Sequence, residues 1–112
     1  MTHPTTDEMI ARLDLDPHPE GGYFRETWRA ERSIPREALE GYSGDRRAAT
    51  SILYLLPAGE VSHLHRLRSE ELWLHQGGDP LELTVRRAPD EQAQTTILSP
   101  EHQLQAAVPP NW

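Results

Sequence analysis

What most constrains this chain is how often glycine and proline interrupt its apolar segments. The longest apolar run is residues 52–58, far below the roughly 20 residues of a membrane span. From residue 49 onward the pattern reads as short strands separated by turns. Residues 49–56 end at Pro57-Ala58-Gly59-Glu60, residues 61–67 follow, and residues 71–75 close on Gly77-Gly78-Asp79-Pro80. Residues 81–87 alternate, with Leu81, Leu83 and Val85 on one face, and 95–98 and 104–108 complete the series. With an earlier strand at 23–28, seven short segments at this spacing predict an all-β sandwich or barrel.

The first 16 residues predict one short helix. Thr5 or Thr6 caps it, Asp7 and Glu8 complement its positive end, and Met9, Ile10 and Leu13 form its apolar stripe. Pro17-His18-Pro19-Glu20-Gly21-Gly22 cannot continue a helix and predicts a turn of defined shape. Residues 30–48 are polar and read as the longest loop, with one helical turn near 35–39. At 112 residues the chain has room for one core, so we expect a single domain over 1–112, with the helix at 1–16 and β-strands over 17–112.

Composition excludes several partners. Lys+Arg 11 against Asp+Glu 18 gives −7, and every basic residue is arginine. That balance argues against nucleic acid, which needs a clustered basic surface, and against an anionic membrane. With no cysteine there is no disulfide, thiolate metal site or thiol nucleophile. No apolar run of signal-peptide length opens the chain, so the expected location is cytoplasmic.

The chemistry-bearing residues concentrate between Gly59 and His75. On a strand, residues i and i+2 share a face, so His63 and His65 point together, and so do Glu71, Trp73 and His75. Pairing of 61–67 with 71–75 as a hairpin would gather His63, His65, Glu71 and His75 on one concave side. Two imidazoles and a carboxylate form a ligand set for Zn, Mn, Fe or Ni. Without a metal the same groups serve as general acid and base. The plainer reading is an exposed polar strand face. Other residues also have plain readings: His18 and Glu20 hold a turn, Arg66 sits on the outer face, and Gly77-Gly78-Asp79 is a tight hairpin turn. Trp73 packs as core, His75 is a wall residue, and His3 and His102 are solvated.

From Gly59 the run resembles the first motif of the cupin superfamily. Two registers fit. One keeps Gly59, His65, Glu71 and Gly78 but has Leu67 where a second ligand histidine belongs. The other reads His63, His65, Glu70 and Gly77 and lacks the leading glycine. The first keeps both glycine turns, and His63 is then a substitute for the missing ligand. The block from Pro17 to Thr27 (His-Pro-Glu-Gly-Gly-Tyr-Phe at its centre) is similar to the N-terminal signature of a small single-domain cupin subfamily. So are Thr50-Ser51-Ile52-Leu53-Tyr54-Leu55-Leu56, His65-Arg66, Glu71-Leu72-Trp73 and Gly78-Asp79-Pro80-Leu81.

The resemblance implies a double-stranded β-helix, or jelly-roll barrel, and a homodimer. It also implies a small-molecule pocket and a comparison with sugar isomerases and epimerases that rests on fold alone. Inward-facing positions would then be Tyr54, His65, Trp73 and Gln105 as ligand-binding residues, with His65, Glu71 and His75 catalytic. The metal set would be His63, His65 and Glu71. Val108-Pro109-Pro110-Asn111 resembles the turn of the second cupin motif, after which relatives continue with further strands. Three readings follow: an isomerase- or epimerase-like enzyme on a small polar, carbohydrate-like substrate; a non-catalytic ligand-binding cupin; and a truncated cupin that completes its fold by dimerisation.

Overall fold

The computed structural model describes residues 3–112, whose regular structure is mostly β-strand with one short helix. Helix α1 spans Thr6–Leu13, with Thr5 as its cap. The Thr5 hydroxyl accepts from the Glu8 N–H at 3.1 Å, and the Glu8 carboxylate accepts from the Thr5 N–H at 3.2 Å. This reciprocal pair satisfies two of the free donors at a helix start. Met9, Ile10 and Leu13 are half-buried, as the stripe predicts. Asp14 ends the helix in the left-handed region at φ 55°, and Arg25 Nε donates to the Leu13 carbonyl at 2.7 Å.

The chain divides into two compact units, residues 1–65 and 66–112. In the first, β1 (Asp16–Pro17), β2 (Tyr23–Arg29) and β5 (Thr50–Leu55) form an antiparallel sheet in the order β1-β2-β5. Tyr23 faces Leu55, Phe24 faces Tyr54, and a bulge between Glu26 and Trp28 shifts the register. The loop expected over 30–48 holds its helical turn where expected, as a 3-10 turn at Arg36–Ala38. Beyond that expectation it forms a small ribbon of β3 (Ser33–Ile34) on β4 (Arg46–Arg47). The Arg47 guanidinium ties this ribbon down by donating to the carbonyls of Ala30 and Glu31.

In the second unit, β6 (Glu71–Leu74) pairs with β9 (Gln105–Val108), and β7 (Leu81–Val85) pairs with β8 (Gln94–Leu98). The inner pair is nested in sequence within the outer pair, which is how a folded-over ribbon wraps in a jelly roll. Leu81, Leu83 and Val85 share the more buried face of β7, as their alternation predicts. Buried apolar residues among those described are Leu15, Ala30 and Leu98, and Leu98 has no solvent exposure.

Two expectations are corrected. Residues 61–67 form no strand. Val61, Leu64 and Leu67 are all exposed there, so the segment has no covered apolar face to hold it in a sheet. Its backbone is bound instead to turns: His63 N–H donates to Glu20 O at 2.7 Å, and Leu67 O accepts from Asn111 N–H at 2.8 Å. Nor does Gly77-Gly78-Asp79 close a hairpin, because β6 and β7 pair with different partners and the segment connects separate sheets.

Candidate functional site

In the first unit, Pro17 to Gly22 folds as a closed turn. His18 N–H donates to Gly22 O at 2.8 Å and Gly21 N–H to His18 O at 3.1 Å. Both glycines have positive φ, 113° and 76°, a region open to glycine at little cost. A side chain would not fit either. A Cβ on Gly21 would sit 2.1 Å from Val61 O, and one on Gly22 would sit 2.5 Å from Tyr54 Cε1. The His18 ring lies edge-on to Phe24 at 4.9 Å and stacks on Tyr54 at 5.4 Å. Its Nδ1 accepts from the Glu20 N–H at 3.0 Å. The turn-holding reading of His18 is therefore the one its contacts match.

Tyr54, expected to line the pocket, gives its hydroxyl proton to Gly21 O. Its ring belongs to the turn cluster. His63 is exposed and His65 half-buried. His65 Nδ1 lies 2.6 Å from the His63 carbonyl oxygen. A carbonyl can only accept, so Nδ1 carries the proton, and in the neutral ring Nε2 keeps its lone pair. That is the protonation pattern a base or a metal ligand requires.

In the second unit the period-2 expectation for β6 holds. Glu71, Trp73 and the adjoining His75 are half-buried, while Leu72 and Leu74 are exposed. The Trp73 indole N–H donates to Glu71 Oε1 at 2.6 Å, so the carboxylate and the aromatic wall are joined. His75 Nε2 donates to Asp79 O at 3.0 Å, which leaves the lone pair on Nδ1. The register corrects the placement of Gln105. It stands opposite Leu74, hence on the outer face with Leu72 and away from Glu71 and Trp73.

His65 lies in the first unit, and Glu71, Trp73 and His75 lie in the second. Neither unit, among the described residues, gathers three or more His, Asp or Glu side chains in a way that could hold a metal ion.

Sequence reasoning missed the contact of His102. Its Nδ1 lies 2.7 Å from the hydroxyl of Ser99, which is fully buried. An open depression of about 420 Å³ lies beside this pair, lined by Thr95, Thr96, Ile97, His102 and Gln103. A serine three residues before a histidine is a weak signal, because both are common in turns. Near the end of the chain, Asn111 takes a left-handed φ of 67°. It supplies the conformation that a glycine gives in the turn the sequence resembles.

A family model described as Cupin superfamily (DUF985) matches residues 7–112. Two solved structures are similar. A hypothetical protein from Leishmania major is 32% identical with a TM-score of 0.80, over 96% of this chain and 66% of that one. A protein from Shewanella oneidensis is 30% identical with a TM-score of 0.81, over 97% of this chain and 66% of that one. The chain thus spans just under two thirds of the length of each. Among curated proteins, none matches. No helix among the described residues is long and apolar enough to cross a membrane.

Proposed function

The chain belongs to the cupin superfamily, in its DUF985 family, and from that premise we propose that it binds a small polar, carbohydrate-like molecule. The observation that carries the reading is the shared face of Glu71, Trp73 and His75, with the indole N–H bonded to the carboxylate. An aromatic wall beside a few fixed polar groups is the usual make-up of a small-molecule site. The Glu71 carboxylate retains lone pairs beyond the one Trp73 uses, enough to accept from a sugar hydroxyl.

The finer, isomerase- or epimerase-like part of the proposal adds His65 as general base. Its Nδ1–H is held by the His63 carbonyl, which fixes the ring and leaves Nε2 as acceptor for a substrate proton. No step is routed through a metal, because neither unit gathers a ligand set.

Calorimetric titration with a panel of sugar phosphates and nucleotide sugars tests the binding reading. Glu71→Gln should weaken binding of any hit by about tenfold, the loss of one charge-assisted hydrogen bond. His65→Ala should leave binding within about twofold and abolish turnover. A panel with no hit removes the proposal. A hit that binds but is never converted reduces it to a ligand-binding cupin.

A second reading, completion of the fold by a homodimer, rests on the outer face of β6–β9. There Leu72, Leu74 and the neighbouring Leu104 are 59%, 52% and 54% exposed. The ribbon has only two strands, and unpaired edges beside apolar side chains favour addition of a second copy. Light scattering should give twice the chain mass, reverting toward one in Leu72→Lys. A monodisperse monomer would remove this reading.

A further inference from the structure

We propose that the depression beside β8 is a second binding site, for a neutral, hydroxyl-rich ring such as a monosaccharide, with His102 as its oriented hydrogen-bonding group. None of its lining residues is Glu71, Trp73 or His75, so the two sites stand or fall separately.

The turn after β8 builds the oriented group. Ser99 N–H donates to Gln103 O at 2.9 Å, His102 N–H to Ser99 O at 3.2 Å and Gln103 N–H to Ile97 O at 3.3 Å. These bonds close residues 97–103 on themselves, and Gln103 forms a parallel bridge to Leu98. Ser99 has no solvent exposure, and its hydroxyl lies 2.7 Å from His102 Nδ1. Whichever atom holds the shared proton, Nδ1 is committed, and Nε2 is the ring nitrogen left for a ligand. A serine beside a histidine also suggests acyl transfer, but burial excludes it. A nucleophile must touch the substrate carbonyl, and a hydroxyl with no exposure does not.

The rest of the lining decides the class of ligand. Thr95, Thr96 and Gln103 bring two hydroxyls and an amide, which both donate and accept, and Ile97 brings an apolar surface. The Thr95 hydroxyl is held by that of Thr84 at 3.1 Å. None of the described residues lining the depression is a carboxylate or an arginine. A phosphate entering it would lose hydration and gain no fixed countercharge. A neutral sugar ring meets these terms, with hydroxyls for Thr96, Gln103 and His102 and a C–H face for Ile97. The volume of about 420 Å³ lies within the range of small-molecule sites.

NMR titration of the full chain with methyl glucoside, methyl galactoside and N-acetylglucosamine is the test. At least one should shift the amides of Thr95, Thr96, Ile97, His102 and Gln103 saturably, with a Kd of about 1–10 mM, as few fixed groups in an open site allow. Glucose 6-phosphate should bind there no more tightly than the neutral sugars. Thr96→Val keeps the branched shape and removes one hydroxyl, and should weaken binding by about fivefold. His102→Ala should weaken it by about tenfold. Glu71→Gln should leave these shifts unchanged, which separates this site from the face of β6. Absence of saturable shifts at these amides, shifts confined to residues 71–75, undiminished binding in both Thr96→Val and His102→Ala, or tighter binding of the phosphate each overturns the assignment.

Discussion

The hydroxyl of Tyr54 donates to the main-chain carbonyl of Gly21, across 33 positions of sequence. This bond joins β5, an edge strand of its sheet, to the turn at Gly21. Tyr54→Phe removes one oxygen atom and keeps the ring against His18. It should cost about 1 kcal/mol, the usual net worth of one intramolecular hydrogen bond. Urea unfolding should show a lower midpoint with an unchanged slope.

The glycines of the same turn should be far less replaceable than others with similar backbone angles. Gly22 and Gly59 both have positive φ, 76° and 81°. A Cβ on Gly22 meets Tyr54 and Leu55 O within 2.8 Å, whereas one on Gly59 meets nothing within 4 Å. Gly59→Ala should therefore cost about 1 kcal/mol, from backbone conformation alone. Gly22→Ala adds a clash and should cost about 3 kcal/mol or more. Equal midpoint shifts for the two variants would show that the backbone, and not the packing, sets the requirement.

The sequence made the fold class and most strand positions legible, because alternation and turn residues report directly on faces and breaks. Leu81, Leu83 and Val85 are the clearest case, and Thr5 announced its helix. Pairing was less legible. Nothing local says that Glu71 to Leu74 pairs with Gln105 to Val108 and not with the adjacent segment. The error at 61–67 came from reading alternation as a strand when its apolar residues have no face to cover them. Gln105 was misplaced for the same reason: its face is set by register with Leu74, a long-range fact. The role of His18 was half visible, as a turn residue. Its contact with Glu20 depends on a ring orientation set by Phe24 and Tyr54, which the sequence does not specify. Residues 1 and 2 of the expected 1–16 helix lie outside the described residues.

Leu98 should be the most sensitive single position in the second unit. It has no exposure, and Ser99 beside it has none either. Leu98 faces Leu81 across the β7–β8 pair. Leu98→Ala removes buried methyl groups and leaves a cavity, for an expected loss of 2–5 kcal/mol, or about 3 kcal/mol. Leu104→Ala, at a site 54% exposed, should cost less than about 1 kcal/mol. The two variants measured side by side by thermal unfolding check the contrast.

Metal content should be far below one ion per chain. His63 and His65 are two residues apart, and the His65 ring nitrogen nearer the backbone is committed to the His63 carbonyl. Two imidazoles without a third donor bind first-row metals weakly, since a stable centre takes at least three protein ligands. The thermal midpoint should then be the same with and without a chelator, because a ligand that binds only the folded state would raise it. Elemental analysis of the purified chain, with His65→Ala beside it, is the direct measurement. Stoichiometric zinc, manganese, iron or nickel that is lost in His65→Ala would restore the His63, His65 and Glu71 ligand set. It would also change the chemistry proposed for His65, because a nitrogen bound to a metal has no lone pair left to take a proton.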